Sequence, residues 1–91
     1  MVNSRERRRA ERYSYPSTVE YYPFGSDNGR QKAVTINVSE SGLCAYLFES
    51  LGIGDEINFD RKLPRGGAVA AIKWIKRIDE GFFKAGLAYV L

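Results

Sequence analysis

The sequence predicts an all-β protein: a six-stranded antiparallel β-barrel over residues 17–91, preceded by a flexible basic arm over residues 1–16. Short runs of β-branched and aromatic residues recur, with Gly, Pro, Asn, Asp or Ser clusters roughly every ten residues. Beyond the arm no segment shows a sustained helical period. The chain is also short, 91 residues and therefore one domain. In so small a protein a closed barrel is favoured over an open sheet, because closure leaves no edge strand unpaired.

The arm carries Arg5, Arg7, Arg8, Arg9 and Arg12 against Glu6 and Glu11, and it ends at Pro16. Asn3 followed by Glu6 has the spacing of a capping box, which predicts a short helix over 4–12. No apolar stripe would hold that helix on a core. The first strand is expected over Ser17–Tyr22, rich in β-branched and aromatic residues, and Pro23 with Gly25–Gly29 turns the chain. Val34, Ile36 and Val38 alternate with Thr35 and Asn37, the period of a half-buried strand. After a break at Ser39–Gly42, a strand over Leu43–Phe48 directs Leu43, Ala45 and Leu47 to one face. Gly52–Asp55 leads into a strand in which Ile57 and Phe59 point together. Pro64–Gly67 precedes a long strand from Ala68 to Ile78, and Asp79–Gly81 precedes the last, Phe82–Val90. The inward set of that strand is Phe83, Ala85, Leu87 and Tyr89. No internal repeat or low-complexity segment interrupts this order.

Composition excludes several chemistries. There is no histidine and a single cysteine, Cys44. Serine-type triads, cysteine–histidine dyads and the usual zinc sites therefore lack their residues. The expectation is a protein that is not an enzyme, with no catalytic residues, no metal and no cofactor. Cys44 has no partner for an internal disulfide and reads as a small buried hydrophobe. No stretch has the apolar length of a membrane span or a secretory leader, so membrane insertion is not expected and the cytoplasm is the default location. The net charge of +3 is concentrated on the arm, since basic and acidic residues balance beyond residue 12. Such an arm grips an anion or touches nucleic acid when it does more than solvate the chain.

Two segments stand out against this frame. Arg8-Arg9-Ala10-Glu11-Arg12 has an RxxxR spacing just before the first strand. Asn37-Val38-Ser39-Glu40-Ser41-Gly42 has an NxSxxG spacing at the turn between the second and third strands. In this order, with 25 positions from Arg12 to Asn37, they resemble the PilZ family of cyclic di-GMP receptors, whose signature is RxxxR followed by Asp/Asn-x-Ser-x-x-Gly. Ile72-Lys73-Trp74-Ile75 resembles the Trp-containing fifth strand of that family, and Phe83–Tyr89 its closing strand with Gly86 and Tyr89 in place. Trp74 reads as core or barrel-wall packing rather than as a stacking platform. Ala10 and Glu11 depart from the family pattern, in which an apolar residue and often proline precede the last arginine. The chain also ends straight after the last strand, without the C-terminal helix of many relatives, so a stand-alone domain, a monomer or weak dimer, is expected.

The resemblance implies a PilZ-like barrel with a cyclic di-GMP site formed by Arg8, Arg12, Asn37, Ser39 and Gly42, with further contacts from Arg7, Arg9 and Ser41. The chemistry of these residue types agrees with it. A guanidinium fork matches the O6 and N7 acceptors of guanine, and it also meets phosphate in a bidentate manner. The amide of Asn37 offers both a donor and an acceptor to a base edge, and Ser39 offers a hydroxyl. Asn37 and Ser39, two apart, face the same side if the strand continues through both. Gly42 is expected to allow a backbone conformation closed to other residues and to let ligand approach the main chain closely. The implied mechanism is ordering of the arm over the dianionic ligand, which changes the surface offered to an unknown effector protein. Two readings compete with it. One is a small nucleic-acid-binding β-barrel whose arm follows a phosphate backbone, which the neutral barrel makes less attractive. The other is a PilZ barrel that serves only as a protein-interaction module. Arg8→Ala or Arg12→Ala should weaken cyclic di-GMP binding at least about tenfold by calorimetry, with the barrel still folded; unchanged affinity would remove those arginines from the site.

Overall fold

The apolar alternation seen in the sequence is realised as one antiparallel sheet. The computed structural model describes residues 12–24 and 29–90. Its strands are β1 (Tyr13–Pro23), β2 (Gln31–Val38), β3 (Gly42–Leu47), β4 (Glu56–Phe59), β5 (Val69–Asp79) and β6 (Phe82–Tyr89). Every strand pairs antiparallel with two neighbours in the order β1-β2-β3-β6-β5-β4, and β4 returns to β1. The circuit is a closed barrel.

The interior is built from one side of each strand. Val19 and Tyr21 of β1, Ala33 and Val38 of β2, Leu43, Ala45 and Leu47 of β3, Ile57 and Phe59 of β4, Ala70 and Ile72 of β5, and Ala85 and Leu87 of β6 form the core, with Leu63 from the β4–β5 loop. Phe83 and Tyr89 pack against it from the ends of β6. Each large aliphatic or aromatic side chain so buried contributes about 1.5–3 kcal/mol. Tyr21 is the largest of the fully buried side chains. Its phenol donates to the Glu49 carboxylate. Burial first, then the hydrogen bond and the charge of Glu49, hold the phenol well above its ordinary ionisation range.

The barrel starts earlier than the sequence reading places it. β1 begins at Tyr13 rather than Ser17, so the last residues assigned to the arm belong to the sheet. Pro16 does not end the strand because it sits in a bulge. Ser14 pairs with Asn37 and Ser17 with Thr35, so β1 carries one residue more than β2 across this interval. Proline is tolerated there because a bulged residue owes no N–H to the ladder.

A second bulge corrects the expected face of β2. The buried residues are Ala33, Thr35 and Val38, whereas Val34 and Ile36 are only half-buried. Thr35 pairs with Ala45 and Asn37 with Cys44, which leaves one extra residue in β2, and inward phase passes from odd to even positions across it. Apolar alternation at Val34, Ile36 and Val38 could not reveal this, since the residue that enters the core is a threonine. Thr35 is 1% exposed. Its hydroxyl lies within hydrogen-bonding reach of the carbonyls of both Tyr15 and Ser17, which flank Pro16. A buried side chain of β2 thus caps the irregular backbone of β1.

Replacing Thr35 by Val preserves shape and deletes that donor. Thr35→Val should cost about 1–3 kcal/mol, seen as a lower urea midpoint at unchanged slope; a midpoint equal to the parent's would show that the bulge does not rely on the hydroxyl.

Candidate functional site

The last arginine of the first motif meets the first residue of the second on the outer wall of the barrel. Arg12, immediately before β1, donates from Nη1 to Oδ1 of Asn37 at 3.0 Å. Asn37 lies opposite Ser14 on β1 and Cys44 on β3, Cys44 lies opposite Gly86 on β6, and Gly86 lies opposite Trp74 on β5. These register partners form a transverse row across five strands. Its middle members, Cys44 and Gly86, are small, so the row is a shallow floor between Asn37 and Trp74. Cys44 is buried as expected but outside the core cluster, because it belongs to this outer row.

A groove of about 190 Å³ opens beside the row. It is lined by Arg12, Ser41, Gly42, Leu43, Lys73, Trp74, Gly86, Leu87 and Ala88. Two of those residues are cations and none is a carboxylate, so the groove favours an anion.

The second motif shapes the groove more than it lines it. Ser39 is 2% exposed, and its hydroxyl is used within the turn. It accepts from the N–H groups of Ser41 and Gly42 and lies within donating distance of the Gly42 carbonyl, each at 3.2 Å. The Ser41 hydroxyl is 3.2 Å away as well. The Ser39 N–H donates to the Gly42 carbonyl at 2.8 Å. The expectation that Ser39 shares an outward face with Asn37 is therefore corrected: β2 ends at Val38, and the chain turns Ser39 inward. Ser41 is exposed and does line the groove.

Gly42 also lines the groove, but without the special backbone conformation expected of it. Its φ is not positive; among the described residues the glycines with positive φ are Gly29, Gly54 and Gly81. What Gly42 supplies is space. A Cβ there would lie 2.0 Å from the carbonyl oxygen of Leu87, so only glycine lets β3 run this close to β6. Gly86 follows the same rule against a different neighbour: a Cβ on it would fall 2.1 Å from Nε1 of Trp74. The indole lies across the glycine with 43% of the residue exposed. Trp74 is on the wall of the barrel, as expected, and it faces the groove.

Lys73 joins Trp74 through a bulge. Ile72 pairs with Leu87 and Trp74 with Gly86, so Lys73 is an extra residue in β5, and both it and Trp74 are exposed. Sequence reasoning missed Lys73 entirely. The one available signal was a glycine in the closing strand placed to face a tryptophan, and strand register cannot be counted through an unseen bulge.

Arg7, Arg8 and Arg9 lie outside the described residues, as does the short helix expected over 4–12 save for Arg12, which is not helical. Among the described residues no three His, Cys, Asp or Glu side chains come together in a way that could hold a metal ion. Among them, too, no helix is long and apolar enough to cross a membrane. No protein-family model matches the sequence, and no curated protein matches it.

The two glycines respond differently to a methyl group, because one faces backbone and the other a side chain that can move. Gly42→Ala should destabilise the barrel by about 3 kcal/mol or more. Gly86→Ala should cost about 1 kcal/mol or less, yet displace the single tryptophan, seen as a red-shifted emission more open to quencher. Equal stability losses, or an unmoved Trp74 spectrum, would contradict this assignment of the two contacts.

Proposed function

We propose that the groove between Arg12 and Trp74 binds cyclic di-GMP, and that the protein is a PilZ-type receptor rather than an enzyme. The observation that carries the reading is the 3.0 Å hydrogen bond from Arg12 to Asn37, because it joins the last arginine of RxxxR to the first residue of NxSxxG. Residues 25 apart in sequence thereby form one polar pair, of which Arg12 lines the groove and Asn37 lies behind it, outside the lining.

Each part of the site suits a part of that ligand. The ligand carries two phosphodiester charges and two guanines. Arg12 is charged at any accessible pH, and its fork fits either a phosphate or the Hoogsteen edge of guanine. Asn37 supplies the complementary amide. Trp74 offers a flat apolar face for a base, and base–aromatic stacking contributes about 1–3 kcal/mol. Lys73 adds a second positive charge for phosphate. Ser39 and Gly42 act indirectly: the first ties the turn, and the second sets how closely β3 approaches β6. In this mechanism the arm bearing Arg8, with Arg7 and Arg9 beside it, closes over the ligand, and the altered surface is read by an effector protein in the cytoplasm. Micromolar affinity needs about 8 kcal/mol in total, which a bidentate arginine, a stacked base and neutralised phosphates can supply after ordering costs.

Titration of cyclic di-GMP into isotope-labelled protein tests the reading. The amides of 5–12, 37–42 and 72–75 and the Trp74 indole should shift together at micromolar ligand, while the far strand β4 stays unchanged. Shifts confined to other surfaces, or an equal response to any single-stranded oligonucleotide that fades steeply with salt, would replace this reading with the nucleic-acid one.

A further inference from the structure

The β4–β5 loop brings a guanidinium that neither motif contains to the flank of both. Nη1 of Arg65 lies 3.9 Å from the carboxylate of Glu40, inside the NxSxxG turn. The centre of the same guanidinium lies 4.1 Å from the ring centroid of Tyr13, the residue after Arg12. Its position is fixed by the loop. The N–H of Leu63 donates to the Gly67 carbonyl, and that of Gly66 to the Leu63 carbonyl, at 3.2 and 3.1 Å. Gly66 sits against the Tyr89 ring so closely that a Cβ would come within 2.1 Å of it. Arg65 itself holds a left-handed backbone with φ of 64°, an uncommon conformation for a residue with a side chain.

We infer that Arg65, beside the groove rather than in its lining, is an additional phosphate-binding residue for a ligand that extends past the groove edge, and that Glu40 occupies it as a competing carboxylate until a dianionic ligand takes its place. The inference rests on the proposed cyclic di-GMP site and extends it. The pair with Glu40 is long, and the two side chains are 47% and 71% exposed, so water screens it and little holds it together. Tyr13 covers one face of the guanidinium and leaves the in-plane N–H groups at its rim. Those N–H groups make no hydrogen bond to any described residue. A phosphodiester offers two oxygens to that fork, a geometry that a single carboxylate oxygen at this distance does not provide. Glu40 is therefore a placeholder on a flexible stem. Ligand uptake exchanges one anion for another without exposing an unpaired charge, and Glu40 sets how much ligand is needed.

Calorimetric titration of cyclic di-GMP into the parent protein and into Arg65→Ala, Arg65→Lys, Glu40→Gln and Arg12→Ala tests this, with melting curves to show that each variant is folded. Arg65→Ala should weaken binding about tenfold, and Arg65→Lys should recover part of the loss, a charge without the fork. Glu40→Gln should tighten binding about two- to fivefold; a purely structural ion pair would give no gain. If Arg12→Ala abolishes binding while Arg65→Ala stays within about twofold of the parent, or if Glu40→Gln weakens binding, this inference fails and the proposed site stands. If the parent protein takes up no cyclic di-GMP, both fail together.

Discussion

Closure of the ring is the constraint on which the rest of the molecule depends. Six strands of unequal length pair in one circuit, and β1 must run continuously from its contact with β4 back along β2. The circuit is reconciled by single extra residues: one in β1 beside Pro16, one in β2 beside Ile36, and two in β5, at Lys73 and at Ile78. Thr35 makes the first of these tolerable by turning its hydroxyl to the carbonyls on either side of the proline. Because β1 survives the proline, it reaches Tyr13, and its N-terminal neighbour Arg12 arrives beside Asn37. Had the strand begun at Ser17, the arm would leave the sheet several residues short of the second motif.

The same irregularities give the outer wall its chemistry. A regular antiparallel ladder sends alternate residues inward, so Lys73 and Trp74 could not both be exposed without the bulge between them. Glycine supplies the remaining geometry through close approach, at Gly42 against the Leu87 carbonyl and at Gly86 under the indole. Ser39 closes the turn with its own hydroxyl, which fixes the backbone from which Ser41 and Glu40 project. The result is a rigid polar and aromatic ledge, with an arginine at one end and a tryptophan at the other.

Much of this was legible in the sequence, and the limits have physical causes. Inward sets in β3, β4 and β6 follow simple alternation, and Leu43, Ala45, Leu47, Ile57, Phe59, Ala85 and Leu87 are buried as read. Juxtaposition of Arg12 with Asn37 follows from the order of the two motifs around a hairpin. The faces of Val34 and Ile36 were misread because a bulge shifts the phase without leaving a compositional mark, and because a threonine replaced the expected apolar residue. Ser39 was assigned outward since strand alternation was carried one residue beyond the end of β2. Lys73 and Arg65 were invisible for a further reason: Lys73 enters the groove lining through a strand pairing, and Arg65 comes beside Tyr13 and Glu40 through a loop, and local pattern encodes neither. Arg8, outside the described residues, rests on the motif alone.

The account turns on Arg12 and Asn37 acting as one unit on the ligand. A double-mutant cycle of Arg12→Ala and Asn37→Ala on cyclic di-GMP affinity measures that directly. Cooperation predicts a coupling of about 1 kcal/mol or more, so that the double variant binds markedly better than the two single losses multiplied together. Independent losses that simply multiply, or full affinity in the double variant, would contradict it.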